Sequence, residues 1–403
     1  MRKQKLLERQ FLCLADFEKA AKRHLPQPFF EYIAGGAETN QSLRDNAAVF
    51  SEYGFIPRYM VDVRRRDTSV SLLGRKYDAP FGIAPMGIAA LWAYRGDIVL
   101  ARAARRANIP MILSGSSLIA LEEVARENED AWFQAYLPGD DEGVIQLVER
   151  ASAAGYRVLV ITADCPVGAN RENNVRAGFS TPVRPSLKLA WQGLMHPRWT
   201  FGTFLRTLAS HGMPHFENNH VGRGVPIFSS TLERDLGERA HINWRHLDAI
   251  RRLWRGQLVV KGLLDVRDAK TAVGLGADAI VVSNHGGRQL DGAISPLRVL
   301  PRIVSACPET PIIFDSGLRR GSDVLKALAL GARFVLLGRS FAYAASVAGE
   351  EGVMRAVHIL KDEVSRNMAL MGLSSLGELN DSFLERIHGH DLGVRYNVDN
   401  VHI

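Results

Sequence analysis

Ala279-Ile280-Val281-Val282-Ser283-Asn284-His285-Gly286-Gly287-Arg288-Gln289-Leu290-Asp291-Gly292 is a short apolar run that stops on a base, a double glycine and a cation. Four consecutive apolar residues, three of them β-branched, read as a strand buried on both faces, and the glycine pair reads as its end. A strand that delivers His285 and Arg288 to its carboxyl end can hold an anionic substrate beside a proton acceptor. Taken alone, the stretch is more readily read as a polar strand exit with a hydrogen-bonded histidine. Its weight therefore depends on whether the rest of the chain repeats the pattern.

The pattern recurs. Short apolar runs followed by amphipathic stretches predict eight strands: Phe81–Met86, Met111–Ser114, Ala131–Tyr136, Arg157–Asp164, Leu258–Lys261, Ala279–His285, Ile312–Asp315 and Phe334–Gly338. Helical periodicity lies between them at Asp97–Ala107, Glu142–Ala154, Arg245–Trp254, Val266–Val273 and Ser322–Leu330. Such alternation predicts a parallel sheet with right-handed crossovers, and eight units suit a closed (β/α)8 TIM barrel. A doubly wound open sheet is the alternative. Polar residues gather at the expected carboxyl ends: Ser114, Gln134 with Tyr136, Thr162 with Asp164, Lys261, Ser283 with His285, and Asp315. Those ends form the catalytic face of a barrel. In a regular strand, the pairs spaced by two would point to the same side.

After the seventh strand comes Asp315-Ser316-Gly317-Leu318-Arg319-Arg320-Gly321, and after the eighth Gly338-Arg339-Ser340. Barrels bind phosphate with these two loops, through glycine N–H groups, a helix N-terminus and, here, Arg319 and Arg339. A phosphate held there, with Ser114, Gln134, Thr162 and Lys261 across the mouth, implies a wide phosphorylated ligand with a polar heterocycle. Flavin mononucleotide (FMN) has that outline. Lys261 would then stabilise the negative charge of a reduced flavin, although a snorkelling lysine at a strand end is the plainer alternative.

The 403 residues, 46% of them hydrophobic, allow a large core. Three widely spaced cysteines with no C-x-x-C pair give neither a disulfide framework nor a structural zinc site, and no metal is expected. Arg2, Lys3 and Lys5 open the chain, but Glu8, Arg9 and Asp16 interrupt any secretory core, so no signal peptide is expected. A formal charge of +7 favours anionic partners, without the aromatic-interleaved basic stripe that would point to nucleic acid.

Five segments, in this order, resemble the FMN-dependent 2-hydroxy acid dehydrogenase and oxidase family: Tyr32-Ile-Ala-Gly-Gly-Ala37, Phe133-Gln-Ala-Tyr136, Ser283 to Asp291, Asp315 to Gly321, and Lys326 to Ala332. The resemblance spans roughly Phe17 to Leu379. His196-Pro-Arg-Trp199, His211-Gly-Met-Pro214 and Ala293-Ile-Ser-Pro296 most resemble the mandelate dehydrogenase branch. The resemblance implies oxidation of an L-2-hydroxy acid to a 2-oxo acid, (S)-mandelate foremost and L-lactate second. It makes His285 the base, Asp164 its partner, Arg171 and Arg288 the carboxylate ligands, and Tyr32 and Tyr136 substrate-binding tyrosines, Tyr136 also catalytic. FMN would be held by Pro85, Met86, Gly87, Ser114, Gln134, Thr162, Lys261 and Ser283, and by the phosphate loops Asp315, Ser316, Gly317, Leu318, Arg319, Gly338 and Arg339. Met86 departs from the threonine more usual in relatives, and Ala135 from a bulkier residue. Gly87 and Gly115 are expected to leave room for an aromatic ring. A homotetramer is the assembly the resemblance implies.

Ala177 to Phe216 contains no Asp or Glu but carries Arg184, Lys188, Arg198 and Arg206 among Leu187, Leu189, Trp191, Leu194, Trp199, Phe201, Phe204, Leu205 and Leu208. No apolar run here is long enough to span a bilayer, so residues 177–216 are expected to be a monotopic patch on anionic lipid, or else a basic lid. In mandelate and lactate dehydrogenases a similar insertion docks on the membrane. That implies a peripheral enzyme on the cytoplasmic face of the inner membrane, passing electrons to quinone. One domain over 1–380 and a tail, 381–403, complete the expected organisation.

Overall fold

The computed structural model describes residues 2–179, 184, 186–219, 222–229 and 239–387. Eight parallel strands form the centre: β1 (Phe81–Ile83), β2 (Ile112–Ser114), β3 (Trp132–Ala135), β4 (Val158–Thr162), β5 (Gln257–Leu263), β6 (Ala279–Val282), β7 (Ile312–Asp315) and β8 (Phe334–Leu337). Each pairs with its neighbours in sequence, and β8 returns to pair with β1. Closure between β1 and β2 is a single parallel bridge, Ile83 to Met111, with Ile83 N–H donating to Pro110 O at 2.9 Å. A Cβ at Gly82 would lie 2.7 Å from Pro110, so the seam needs a residue without a side chain. The expected (β/α)8 barrel is the fold.

Strand alternation divides the core. Ile112, Trp132, Val158, Val160, Val259, Ala279, Val281, Ile313, Phe334 and Leu336 pack together inside the barrel. Their neighbours Leu113, Phe133, Leu159, Val260, Ile280, Val282, Phe314 and Val335 belong to the cluster shared with the helices. A hairpin, Val70–Leu72 with Arg75–Tyr77, adds Val70, Leu72 and Tyr77 to the inner cluster and closes the amino-terminal end. Continuing the inner register towards the other end reaches Ser114, Gln134, Thr162, Lys261, Ser283 and Asp315. The polar strand ends are thus the top layer of the barrel interior.

Several strands are shorter than the sequence predicts. Pro85 lacks a ladder donor just past β1. After β6, His285, Gly286 and Gly287 have φ of 58°, 67° and 72°, a left-handed run no strand can contain. The five expected helices are present at Gly96–Ala107, Asp141–Ala153, Trp244–Leu253, Val266–Gly274 and Gly321–Ala329. Unexpected barrel helices follow β2 at Leu121–Glu127 and β6 at Pro296–Ala306, where two prolines obscure the periodicity.

The amino-terminal helices include Leu14–His24 and Gln27–Ala34, and the latter brings Tyr32 to the mouth. The boundary expected after residue 380 cuts through paired chain: Leu384–Arg386 forms an antiparallel ladder with Tyr53–Phe55, and Ile387 N–H donates to Glu52 O at 2.7 Å. The remainder of the expected tail, 388–403, lies outside the described residues, as do 180–183 and 185 of the insertion.

Candidate active site

A cavity of about 620 Å³ opens above the polar layer, lined by residues from β-strand ends, the amino-terminal helix and the insertion. Its floor is a connected network. Lys261 Nζ donates to Ser283 Oγ at 3.0 Å and pairs with Asp315 Oδ2 at 3.1 Å, while Ser283 Oγ donates to Asp315 Oδ2 at 2.7 Å. Burial works against the Lys261 charge, but the Asp315 and Asp164 carboxylates prevail and raise its pKa. Gln134 Oε1 accepts from Ser114 Oγ and from Gly115 N–H, both at 3.2 Å. That fixes the amide orientation and leaves Nε2 buried without a partner.

The groups above this floor are carried by loops. The left-handed backbone at His285 turns its side chain to the cavity, with its own N–H donating to Ser283 Oγ at 3.0 Å. His285 Nδ1 lies 2.8 Å from Asp164 Oδ1, so Nδ1 carries the proton and Nε2 is the acceptor. Burial lowers the His285 pKa against the pull of Asp164. Burial would raise that of Asp164, but the neighbouring His285 and Lys261 hold it at about 2. At neutral pH the pair is a neutral imidazole beside an ionised carboxylate. Burial raises the Tyr136 pKa well above its usual value and keeps the phenol protonated.

Arg288 donates from Nη1 to the carbonyls of Tyr32 (2.6 Å) and Gly35 (2.9 Å), and its guanidinium sits 5.0 Å from the Tyr32 ring centroid. Burial and then Arg171 push its pKa down to about 9, which leaves it charged at neutral pH. Arg171 is oriented by Arg288 O at 3.2 Å and by Gln289 Oε1 at 2.9 Å. Gln289 in turn donates to Asp164 O at 3.1 Å, tying the arginine to the histidine's partner.

At the expected phosphate end, Ser316 and Gly317 have φ of 103° and 87°, and a Cβ at Gly317 would lie 2.0 Å from Asn46 O. Arg319 N–H donates to Asp323 Oδ2 at 2.9 Å, and its Nη1 to Leu318 O at 3.0 Å. Arg339 is spent more heavily on backbone, donating to Ile33 O, Gly35 O and Gly286 O at 2.9–3.0 Å. The Asp315 side chain is turned to Lys261 and Ser283.

Of the expected site residues, Tyr32, Pro85, Met86, Gly87, Tyr136, Thr162, Arg171, Lys261, His285, Arg288, Asp315, Ser316, Gly317, Leu318, Arg319, Gly338 and Arg339 line the cavity. Asp164 and Ser283 stand directly behind them through their contacts to His285 and Lys261, and Ser114 and Gln134, bonded to each other, continue the same top layer of the barrel. Gly115 does not open space for a substrate: a Cβ there would lie 2.9 Å from Gln134 O and 3.2 Å from Tyr136 N, so it serves strand packing. Gly87 faces Tyr32 Oη, which would be 3.1 Å from its Cβ. Sequence reasoning missed Cys165, Gln289 and Arg239. Cys165 and Gln289 each adjoin a residue already singled out. Arg239, 4.4 Å from the Tyr136 ring centroid, had no sequence signal.

Residues 21–386 match the model of the family described as FMN-dependent dehydrogenase. The chain is 39% identical over 374 residues to (S)-mandelate dehydrogenase of Pseudomonas putida, covering 92% of this chain and 93% of that one. It is 40% identical over 374 residues to an L-lactate dehydrogenase of Ectopseudomonas mendocina, covering 92% and 97%. A crystal structure described as the monotopic membrane protein (S)-mandelate dehydrogenase superposes with a TM-score of 0.86 at 38% identity, over 93% of this chain and 99% of that one. The chain belongs to the FMN-dependent dehydrogenase family, whose members similar to it include mandelate and lactate dehydrogenases acting on 2-hydroxy acids.

Proposed function

We propose that the protein oxidises (S)-mandelate to its 2-oxo acid at the carboxyl-terminal mouth of the barrel and passes the electrons to a membrane quinone. The observation that carries this reading is the placing of a neutral imidazole, its Nδ1 held by Asp164, in one cavity with Arg171 and Arg288.

The residues fit FMN. Buried Gln134 Nε2 is a donor in need of an acceptor, Lys261 is a cation at the cavity floor, and Ser316-Gly317 and Gly338 bring backbone close to the mouth. Pro85, Met86, Gly87, Ser114, Thr162, Ser283, Leu318, Arg319 and Arg339 complete its set of neighbours. When bound, FMN accepts the electron pair that leaves the substrate.

The protein's own residues do the rest. Arg171 and Arg288 bind the substrate carboxylate with forked donors, and Tyr32 and Tyr136 donate from protonated phenols. His285 Nε2 takes a proton from the substrate, and the Asp164 carboxylate stabilises the imidazolium that results. Trp92, Phe179, Phe216 and Ile227 also line the cavity, and their apolar surface suits a phenyl ring. The L-lactate dehydrogenase relative of equal similarity supports a second reading, L-lactate as substrate. Steady-state turnover with a quinone analogue separates them: the first reading expects a higher kcat/KM for (S)-mandelate, and a clear preference for L-lactate reverses it.

Membrane docking is supported by the two faces of the insertion. Trp199 is buried, packs tilted against Phe29 with ring centroids 4.9 Å apart, and donates its indole N–H to Leu91 O at 2.8 Å. The outward stripe of helix Leu187–Met195 exposes Leu187 (92%), Trp191 (61%), Leu194 (72%) and Met195 (59%), followed by Phe201 (68%). Lys188 and Arg198 flank it, a combination suited to the boundary of an anionic leaflet, here the cytoplasmic face of the inner membrane. Among the described residues no helix is long and apolar enough to cross a membrane. Trp191, Leu194 and Phe201 changed together to serine should release the enzyme from vesicles of anionic lipid with its turnover of a soluble acceptor retained. Undiminished vesicle binding would refute the docking.

A further inference from the structure

Cys165 has no part in the chemistry above, yet its thiol lies between the two groups that make the base. Sγ is 3.2 Å from Asp164 Oδ1 and 3.5 Å from His285 Nδ1, and those two are 2.8 Å apart. Carboxylate, thiol and imidazole atoms thus form a small triangle, and among the described residues no other group of His, Cys, Asp and Glu gathers so closely. A second observation points the same way. Asp164 Oδ2 is buried without a hydrogen-bond partner, on a side chain only 10% exposed. Oδ1 faces the soft sulfur and the ring nitrogen while Oδ2 of the same carboxylate has no donor to hold it in place, and a carboxylate, a thiol and an imidazole together are the donor set of a thiophilic divalent cation.

We propose that Asp164, Cys165 and His285 form an inhibitory zinc site that takes the catalytic base out of service. Zinc bonds of about 2.0–2.3 Å set tetrahedral ligands roughly 3.4–3.6 Å apart. The sulfur–nitrogen spacing already meets this, and the carboxylate oxygen, 2.8 Å from Nδ1, must swing away from it by roughly 0.6 Å or a little more. Cys165 lines the cavity, so the ion has a path from the mouth. On binding, Sγ loses its proton and Nδ1 exchanges its proton for the metal. Nε2 takes up one proton, so one is released in net. The imidazole then presents N–H where the substrate requires a lone pair. The loss of turnover rests on His285 as the base; the binding of zinc does not.

The test uses the flavin-loaded enzyme and zinc sulfate. Turnover should fall by about 100-fold or more at saturating zinc and return with a chelator, whereas magnesium and calcium should have no effect. X-ray absorption at the zinc edge should show one sulfur at about 2.3 Å and nitrogen or oxygen at about 2.0 Å. In Cys165→Ser the ratio of turnover with and without zinc should return to near one, whatever its basal rate. Wild-type enzyme indifferent to zinc, zinc bound without sulfur, or a Cys165→Ser variant still inhibited would each overturn the proposal. Sulfur-ligated zinc with undiminished turnover would overturn the inhibition and, with it, His285 as base.

Discussion

The floor of the cavity and the groups above it are built on different backbone. Ser114, Gln134, Thr162, Lys261, Ser283 and Asp315 continue the inner register of barrel strands, so their directions follow from a period of two set by the ladder. Arg171, His285 and Arg288 are held by turns and by long-range contacts to carbonyls, and Tyr32 is carried by helix Gln27–Ala34 outside the barrel. A register-fixed layer is rigid and costly to disturb, and it suits a group that stays bound. A loop-borne ring can be tuned residue by residue with the barrel intact, and it suits substrate recognition and proton transfer.

The largest effect should come from breaking the floor. Lys261→Met leaves the Asp315 carboxylate buried and unpaired, at a cost of about 3–5 kcal/mol, and the variant should purify with little flavin. Denaturant unfolding and flavin absorbance check both. A stable, yellow Lys261→Met protein would break the distinction between the layers. A change in the upper ring should behave differently. Arg288→Lys loses the forked donor, and kcat/KM should drop by about 1.5–3 kcal/mol, roughly 10- to 150-fold, with flavin content unchanged.

The smallest effect is a shift in pH dependence. On the proposed mechanism turnover requires neutral His285, whose pKa is lowered from 6.5 because burial outweighs the pull of Asp164. Activity is therefore full above the lowered value and lost as pH falls through it, so the acid limb of kcat/KM should lie below pH 6.5. Asp164→Asn removes the opposing charge, and the limb should move to lower pH while the rate also declines. A limb above the ordinary histidine value would show that the carboxylate, not burial, dominates.

The same division explains what could be read before the structure was known. The barrel and its floor were legible because apolar runs and strand alternation are local patterns, and Ser114, Gln134 and Lys261 fall on them directly. The pairing of Ser283 with His285 by strand spacing failed as a reason, since left-handed backbone from His285 onward replaces the strand. Nothing local reveals that Arg288 and Arg339 both donate to carbonyls at the end of helix Gln27–Ala34, some 250 to 300 residues earlier in the chain. Gly115 was read as substrate space when the backbone of Gln134 and Tyr136 fills it. The insertion disclosed its composition but not its two faces, because only packing against Phe29 and Leu91 separates buried Trp199 from exposed Trp191.

The account turns on one imidazole, and His285→Gln in the flavin-loaded enzyme tests it most directly. Glutamine keeps the polarity and much of the volume but cannot accept and hold a proton, so turnover of the 2-hydroxy acid should fall by about 100- to 10,000-fold with FMN still bound. Near-normal turnover in a variant that retains FMN would contradict the account.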